Sequence, residues 1–280
     1  MVHNKKQLLH SCKTYFPILL AAIGFVSGCK IVFGEFGKPN GMEDKYPLFF
    51  LTISLVAIYL LPLLYLTRYL AKRYHISKKV TNLSWLLGLT AGMAFSELGH
   101  MAVGYFWIEI VKASDNFKAD WGAAVSAPFA EEFGKGLVVL LVLLICRKLT
   151  LKHALVSGII AGLGFQLIED CMFTFRDMFM GKLDGFETII ERVGQAGWTH
   201  WVFTMLFAIG LVALLTKDSG MSKTQGAGWL FASMGLHFLF NSPFNTGILS
   251  TVFPVMSILL GLLAYHMVDK LPEDSYLNKL

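Results

Sequence analysis

Apolar residues gather in eight long runs, near 16–33, 48–67, 84–110, 121–146, 153–175, 198–216, 226–241 and 247–268, separated by short polar connections. A helix needs roughly 20 mostly apolar residues to cross about 30 Å of hydrocarbon. The pattern therefore predicts an all-α, polytopic transmembrane helix bundle of about eight spans. The runs at 84–110 and 121–146 carry acidic residues and the run at 226–241 is short, so these three can cross only if the bundle encloses their polar faces. No connection has room for a soluble domain, and residues 1–280 are expected to form a single integral membrane domain. In the longest connection, 176–197, Phe186, Ile189, Ile190 and Val193 fall at helical spacing, which predicts one short helix on the outer membrane surface.

Composition agrees with this pattern. Of 280 residues, 55% are hydrophobic and 15% charged, with a mean hydropathy of +0.59, which excludes an ordinary soluble domain. The first run follows Lys5, Lys6 and Lys13 and shows no small-residue cleavage pattern after it, so it reads as a retained span rather than a signal peptide. Positive residues stay on the cytoplasmic side. They concentrate in the amino terminus and in the connections at 68–79 (Arg68, Lys72, Arg73, Lys78, Lys79), 147–152 (Arg147, Lys148, Lys152) and 217–223 (Lys217, Lys223). The alternate connections, at 34–47, 112–120, 176–197 and 242–246, are acidic, mixed or uncharged, as external loops should be. Both termini are thus expected in the cytoplasm. The net charge of +5 is mostly this topology signal, and no basic, aromatic-interleaved patch points to nucleic acid. Cys12, Cys29, Cys146 and Cys171 include no CxxC pair, and no disulfide is predicted.

The segments GLTAGMAFSE (88–97) and GIIAGLGFQLIE (158–169) echo each other, each with small residues at four-residue spacing ahead of a glutamate. Such spacing lets helices approach closely in lipid, and close packing accounts for the echo better than a functional repeat.

Ionisable residues inside the spans carry the chemical information, because a charge at the bilayer centre costs about 2.5–3.5 kcal/mol or more. Glu131 and Glu132 sit near the middle of the fourth run, and adjacency places their side chains about 100° apart on a helix. Lys135 lies four residues after Glu131, a spacing that pairs it with that carboxylate and leaves Glu132 as the group able to work. Glu169 and Asp170 end the apolar part of the fifth run in the outer half, where Asp170 reaches towards the interface. His200 opens the sixth run, and His237 and Asn241 share one face of the seventh at i,i+4. These groups fall at a common depth on four successive helices and are expected to converge on one water-filled pocket. Glu97 and His100, at i,i+3 on the third run, lie at a similar depth and read as a structural pair or as support for that pocket.

A carboxylate can take a proton from water, a histidine can hold that water or protonate the leaving amine, and an asparagine amide can stabilise an oxyanion. The set Glu131, Glu132, Glu169, His200, His237 and Asn241 therefore suits peptide hydrolysis. It also suits a divalent metal such as zinc, with His200, His237 and Glu169 as ligands and another glutamate as base. Spacing alone does not separate a metal-dependent mechanism from a glutamate-only one.

EEFGK (131–135), GLGFQLIED (162–170), RVGQAGWTHWVFT (192–204) and HFLFN (237–241) together resemble the PrsW-type intramembrane proteases, within the wider group that includes the CAAX-processing and bacteriocin-processing membrane proteases. The resemblance covers about 120–245, the expected catalytic core. It follows the family's E-E-x-x-K/R, glycine-rich helix ending in glutamate, H-x-x-x-T and H-x-x-x-N pattern, with Asp170 where asparagine is common. It implies an intramembrane endopeptidase of a bacterial plasma membrane that cuts a membrane-anchored protein, such as an anti-sigma factor, near the external face. The competing readings of the same buried groups are an ion- or proton-coupled transporter, in which Pro128 would break a helix, a membrane-embedded lipid or amide hydrolase, and a non-catalytic scaffold.

Overall fold

The computed structural model describes residues 2–37, 42–181, 185–195, 197 and 199–272, with side chains from residue 15 onward. The chain is 85% helical, and no strand occurs among the described residues. Every apolar run contains a helix. They are α1 (Val2–Phe36), α2 (Tyr46–Ile53) and α3 (Ala57–Arg73) joined by a 3₁₀ turn, α4 (Lys78–Gly88), α5 (Ala91–Tyr105), α6 (Asp115–Cys146), α7 (Leu151–Phe179), α8 (Phe186–Gln195), α9 (His200–Leu215), α10 (Lys223–Asn241) and α11 (Leu249–Asp269). The third run is two helices: α4 and α5 meet at a 44° bend, and α5 runs on into a π turn at Phe106–Ile110.

Four segments are long and apolar enough to cross a membrane: Tyr15–Phe36, Glu43–Arg73, Leu151–Phe179 and Leu249–Asp269. The number rises to six if α4 with α5, and α8 with α9, each cross as one bent span. The difference from the eight expected lies in α6 and α10. The first interrupts its apolar run with Glu131, Glu132 and Lys135, and the second with Gln225, His237 and Asn241.

The bundle is arranged around α7, whose apolar window is 83% buried, against 22% for α1 and 33% for α11. The outer helices show large apolar side chains such as Phe33, Tyr65, Phe231 and Leu259 on their exposed faces, which suits a hydrocarbon surrounding. Contact with α7 depends on missing side chains. A Cβ at Gly158 would stand 2.8 Å from Met205 Cα and one at Gly162 would stand 2.6 Å from the His200 carbonyl, so α9 rests directly on the α7 backbone. A Cβ at Gly88 would stand 2.7 Å from the Ala161 carbonyl, which seats α4 on the same helix. The echoed small residues thus serve close helix approach.

The helix ends are closed by local chemistry. Ser114 caps α6, Thr150 caps α7, and Ser222 with Gln225 forms a capping box on α10. At the opposite end of α9, Lys223 Nζ donates to the carbonyls of Ala213, Leu214 and Thr216 at 2.6–2.8 Å. Arg73 donates through two nitrogens to Asp269 at 2.9 Å each, which ties α3 to α11. The short helix in the 176–197 connection is present as α8. Ile189 is buried, Phe186 and Ile190 are exposed, and α8 leans on α7. Cys29, Cys146 and Cys171 are free thiols, and Cys12 lies outside the described side chains.

Because Gly162 sets the separation of α7 and α9, Gly162→Ala is expected to lower stability by about 1–3 kcal/mol through overpacking. Gly235, with open space where its Cβ would be, should accept alanine with a gain of about 0.4–1 kcal/mol. Thermal unfolding of both variants in one detergent checks the contrast, and equal losses would contradict it.

Candidate active site

A cavity of about 490 Å³ lies inside the bundle, walled by α1, α5, α6, α7, α9 and α10 with Arg192 of α8 at its side. Glu131, Glu169, His200, His237 and Asn241 line it, as do Glu97 and His100. Glu132 sits behind this wall and is fully buried.

The two adjacent glutamates on α6 point different ways. Glu132 faces protein only: its Oε1 accepts from Lys135 Nζ at 2.7 Å and from His237 Nδ1 at 2.9 Å, and its Oε2 accepts from Thr204 Oγ1 at 3.2 Å. Glu131 faces the cavity. Its Oε1 lies 3.4 Å from His100 Nε2, and its Oε2 lies 3.4 Å from Lys135 Nζ, 3.6 Å from His200 Nδ1 and 3.9 Å from His237 Nε2. The expected division of labour is therefore reversed: Glu132 is the acid that Lys135 holds most closely, and Glu131 is the one presented to the cavity. Positions i+3 and i+4 both flank a helix face, so spacing could not choose between them. The choice is made by His237 and Thr204, which surround Glu132 from two other helices.

Lys135 is wholly buried, and all three of its donors have a use. They reach Glu132, Glu131 and His200 Nδ1, the last at 2.9 Å, while the ammonium lies 4.5 Å from the centre of the Phe165 ring. These contacts fix both imidazole tautomers. An ammonium only donates, so His200 Nδ1 accepts and its Nε2 donates to Glu169 Oε2 at 2.8 Å. A carboxylate only accepts, so His237 Nδ1 donates to Glu132 and leaves its Nε2 lone pair towards Glu131. Phe203 stacks on the His237 ring with centroids 5.1 Å apart, and the two imidazoles stand edge to face at 5.4 Å.

Glu169 and Asp170, in the C-terminal half of α7, share one guanidinium. Arg192 donates to Glu169 through Nη2 and to Asp170 Oδ1 through Nε at 2.6 Å, and Tyr59 donates to Asp170 Oδ2 at 2.9 Å. Asp170 is accordingly 1% exposed, instead of reaching the interface as its position in the run suggested, because α3 and α8 cover it. Glu169 is engaged by Arg192 and His200, and the compact ligand-like group is Glu131, His200 and His237 in place of the expected Glu169 with the two histidines. Asn241 stands on the cavity wall, one helical turn beyond His237. Across the cavity, His100 takes a direct contact with Glu131, closer than the supporting role given to it from its spacing, while Glu97 lines the wall and is exposed.

The donor set suits a divalent cation. One ligand atom from each of Glu131, His200 and His237 falls within 4.8 Å of the others. Each histidine has its remaining nitrogen on a carboxylate, the arrangement that orients metal-ligating imidazoles and raises their basicity. Among the described residues, the lysine and arginine side chains paired with the four largely buried carboxyl groups Glu131, Glu132, Glu169 and Asp170 are Lys135 and Arg192, so a bound cation would add positive charge where acidic groups outnumber these two. Lys135 Nζ donates to His200 Nδ1 at 2.9 Å, so a cation held by that nitrogen would have to replace this hydrogen bond.

Sequence reasoning gave no role to Arg192 or Tyr59, and had Thr204 only as the last residue of the H-x-x-x-T pattern. The available signal for Arg192 was a cation in a connection otherwise expected to be external, and for Thr204 its i,i+4 spacing from His200. Tyr59 offered none, since its partner lies 111 residues away.

Fold and site together define a multi-pass membrane protein whose acidic and imidazole groups meet within the bundle. The model of the PrsW family, described as intramembrane metalloproteases, matches residues 78–266, and the chain belongs to that family. It is an intramembrane protease. The match reaches back over α4 and α5, and so takes in Glu97 and His100 as well as the four motif segments. Neither the curated proteins nor the solved structures contain a match to the chain.

If Lys135 is the counter-ion on which Glu132 depends, Lys135→Met should destabilise the protein by about 3–5 kcal/mol by stranding a buried carboxylate. Adding Glu132→Gln should return about 1–3 kcal/mol of that loss as a coupling energy. Unfolding of the two single variants and the double variant measures the cycle, and strictly additive losses would remove the pairing.

Proposed function

We propose that the protein cleaves a membrane-anchored protein substrate near the external face of a bacterial plasma membrane, with Glu131 as the central reacting carboxylate. The observation that carries this reading is the position of Glu131: it is the only group of the cluster within 4 Å of His100, His200, His237 and Lys135 together, among the described residues. An anti-sigma factor is one substrate of the required kind.

In this reading Glu131, His200 and His237 would hold a divalent cation, zinc being the type that two imidazoles and a carboxylate suit. When bound, such an ion supplies Lewis acidity towards water and the scissile carbonyl. Glu169 and Glu132 hold the two imidazoles in orientation from behind. Glu131 receives the proton of the attacking water, and His100, 3.4 Å from Oε1, relays it to the leaving amine. The Asn241 amide, on the cavity wall, donates to the developing oxyanion. Glu131, His200 and His237 are each at most 7% exposed, which limits the access of bulk water to them.

The same reading has all eight helical segments crossing the membrane, with both termini in the cytoplasm. Its support is that α6 turns its charged residues inward, with Glu132 and Lys135 at 0% exposure, so composition is no obstacle to crossing. Reporter fusions at the 147–150 and 217–222 turns should score cytoplasmic and one at 112–114 external. A reversed pattern at any of the three would contradict this orientation.

Purified protein should cleave a panel of single-span substrates, and Glu131→Gln or His237→Ala should lower kcat/KM by about 10²–10⁴-fold. Chelator should abolish cleavage and zinc should restore it. Metal analysis should find bound divalent ion in the wild type and little in His237→Ala. Cleavage that survives chelation in metal-free protein would leave a glutamate-only mechanism, and folded wild type that cleaves nothing would sink the proposal.

A further inference from the structure

The packing of α5 against α6 changes character at His100. On one side the helices touch backbone to backbone: a Cβ at Gly99 would stand 2.7 Å from Ala130 Cα, and one at Gly134 would stand 2.7 Å from Ser96. On the other side the helices part. Gly104 and Gly122 have nothing within 4 Å of where a Cβ would be, although glycine in a helix interior is destabilising by about 0.5–1 kcal/mol relative to alanine. Close helix approach explains the first pair of glycines and leaves the second pair unexplained.

What the second pair lines is a separate cavity of about 360 Å³. Its far end is made by Trp107, on the π turn, and Phe117, whose ring centroids are 5.2 Å apart. Its near end is shared with the catalytic cavity, since His100 and Ala123 line both. The volume lies in the range of about 300–1,000 Å³ common for small-molecule sites, and a π turn in a helix wall is frequent at functional positions. Nothing in the proposed chemistry uses this space.

We propose that the cavity between α5 and α6 is a specificity subsite that receives one large apolar or aromatic side chain of the protein substrate, next to the scissile bond. The inference rests on the protease reading and names what that site selects. Continuity through His100 decides the occupant: a chain whose scissile carbonyl lies at Glu131 and His100 places an adjacent side chain at the mouth of this cavity. The open glycines leave the volume clear, and Trp107 and Phe117 supply the apolar surface that rewards filling it. A membrane lipid chain is the competing occupant, and it would give no dependence on substrate sequence.

The test has two arms on the full chain. In the first, substrates differing only at the residues flanking the cleaved bond carry Ala, Leu or Phe. Wild type should prefer Phe to Ala by about tenfold or more at one of these positions, the scale on which a hydrophobic pocket discriminates. Gly122→Leu should erase that preference while cleavage of the Ala substrate stays within about threefold. Gly122→Ala, which the open space accommodates, should give an intermediate preference and guards against a folding defect. In the second arm, a substrate with benzoylphenylalanine at the preferred position is irradiated with Glu131→Gln protein, and adducts should map to α5 or α6 around Trp107 and Phe117. Absence of preference in active wild type, or adducts that map elsewhere, overturns the subsite. Adducts at Trp107 with no cleavage by wild type would show that the cavity binds the peptide, and would overturn both its role in selecting a cleavage site and the cleavage reading.

Discussion

A lysine with no exposed surface, surrounded by carboxylates and imidazoles in the middle of an apolar bundle, is the constraint that the rest of the structure satisfies. Removing an ion from water costs several kcal/mol even after relaxation, and attraction offsets this only where geometry is good and every donor and acceptor is used. Lys135 meets that condition through Glu132, Glu131 and His200. Glu132 meets it through Lys135, His237 and Thr204. His200 and Thr204 come from α9 and His237 from α10, so α6, α9 and α10 are held in one relative register by the same few groups that line or back the cavity. Structural stability and site geometry are in this sense a single arrangement.

Glycines set how closely that arrangement can be drawn together. His200 reaches Glu169 and Lys135 because the α9 backbone at His200 lies against Gly162, and Glu131 reaches His100 because α5 and α6 touch at Gly99 and Gly134. Lipid provides little hydrophobic drive for helices to associate, so close packing and interhelical polar contacts have to supply it. Both are concentrated here on the helices that carry the chemistry. The peripheral α1 and α11 have less buried surface and add few contacts to the site beyond Glu35, which pairs with Arg176 at the cavity rim.

Much of this could be read from the chain. The eight apolar runs marked the helices, and Glu131, Glu169, His200, His237 and Asn241, which fall at a common depth in the runs, do line one cavity. Periodicity resolves depth along a helix but resolves orientation around it poorly, and the misreadings follow from that. Whether Glu131 or Glu132 belongs to Lys135 depends on Thr204 and His237, some 70 and 105 residues away. Whether Asp170 is exposed depends on Tyr59 and Arg192, on segments that the sequence does not mark as neighbours. The 44° break between α4 and α5 was also hidden, because the apolar run resumes directly after Thr90 and no proline announces the break.

The arrangement of charge also bears on how a substrate can be handled. Glu169 is held between His200, a ligand in the proposed site, and Arg192, which lies on α8 and also grips Asp170. The orientation of His200 is therefore coupled to the seating of a helix that packs on α7 and on α2 with the 3₁₀ turn that follows it, and presents Phe186 and Ile190 outward. On the opposite wall, His100 stands where the catalytic cavity opens into the space between α5 and α6. The two histidines thus mark two different borders of one cavity: His200 the border that is locked by ion pairs, and His100 the border that is left open. A peptide entering such a cavity finds rigid, fully paired groups on one side and unfilled volume on the other. That asymmetry suits an enzyme whose reacting atoms must not move while the side chain it admits varies.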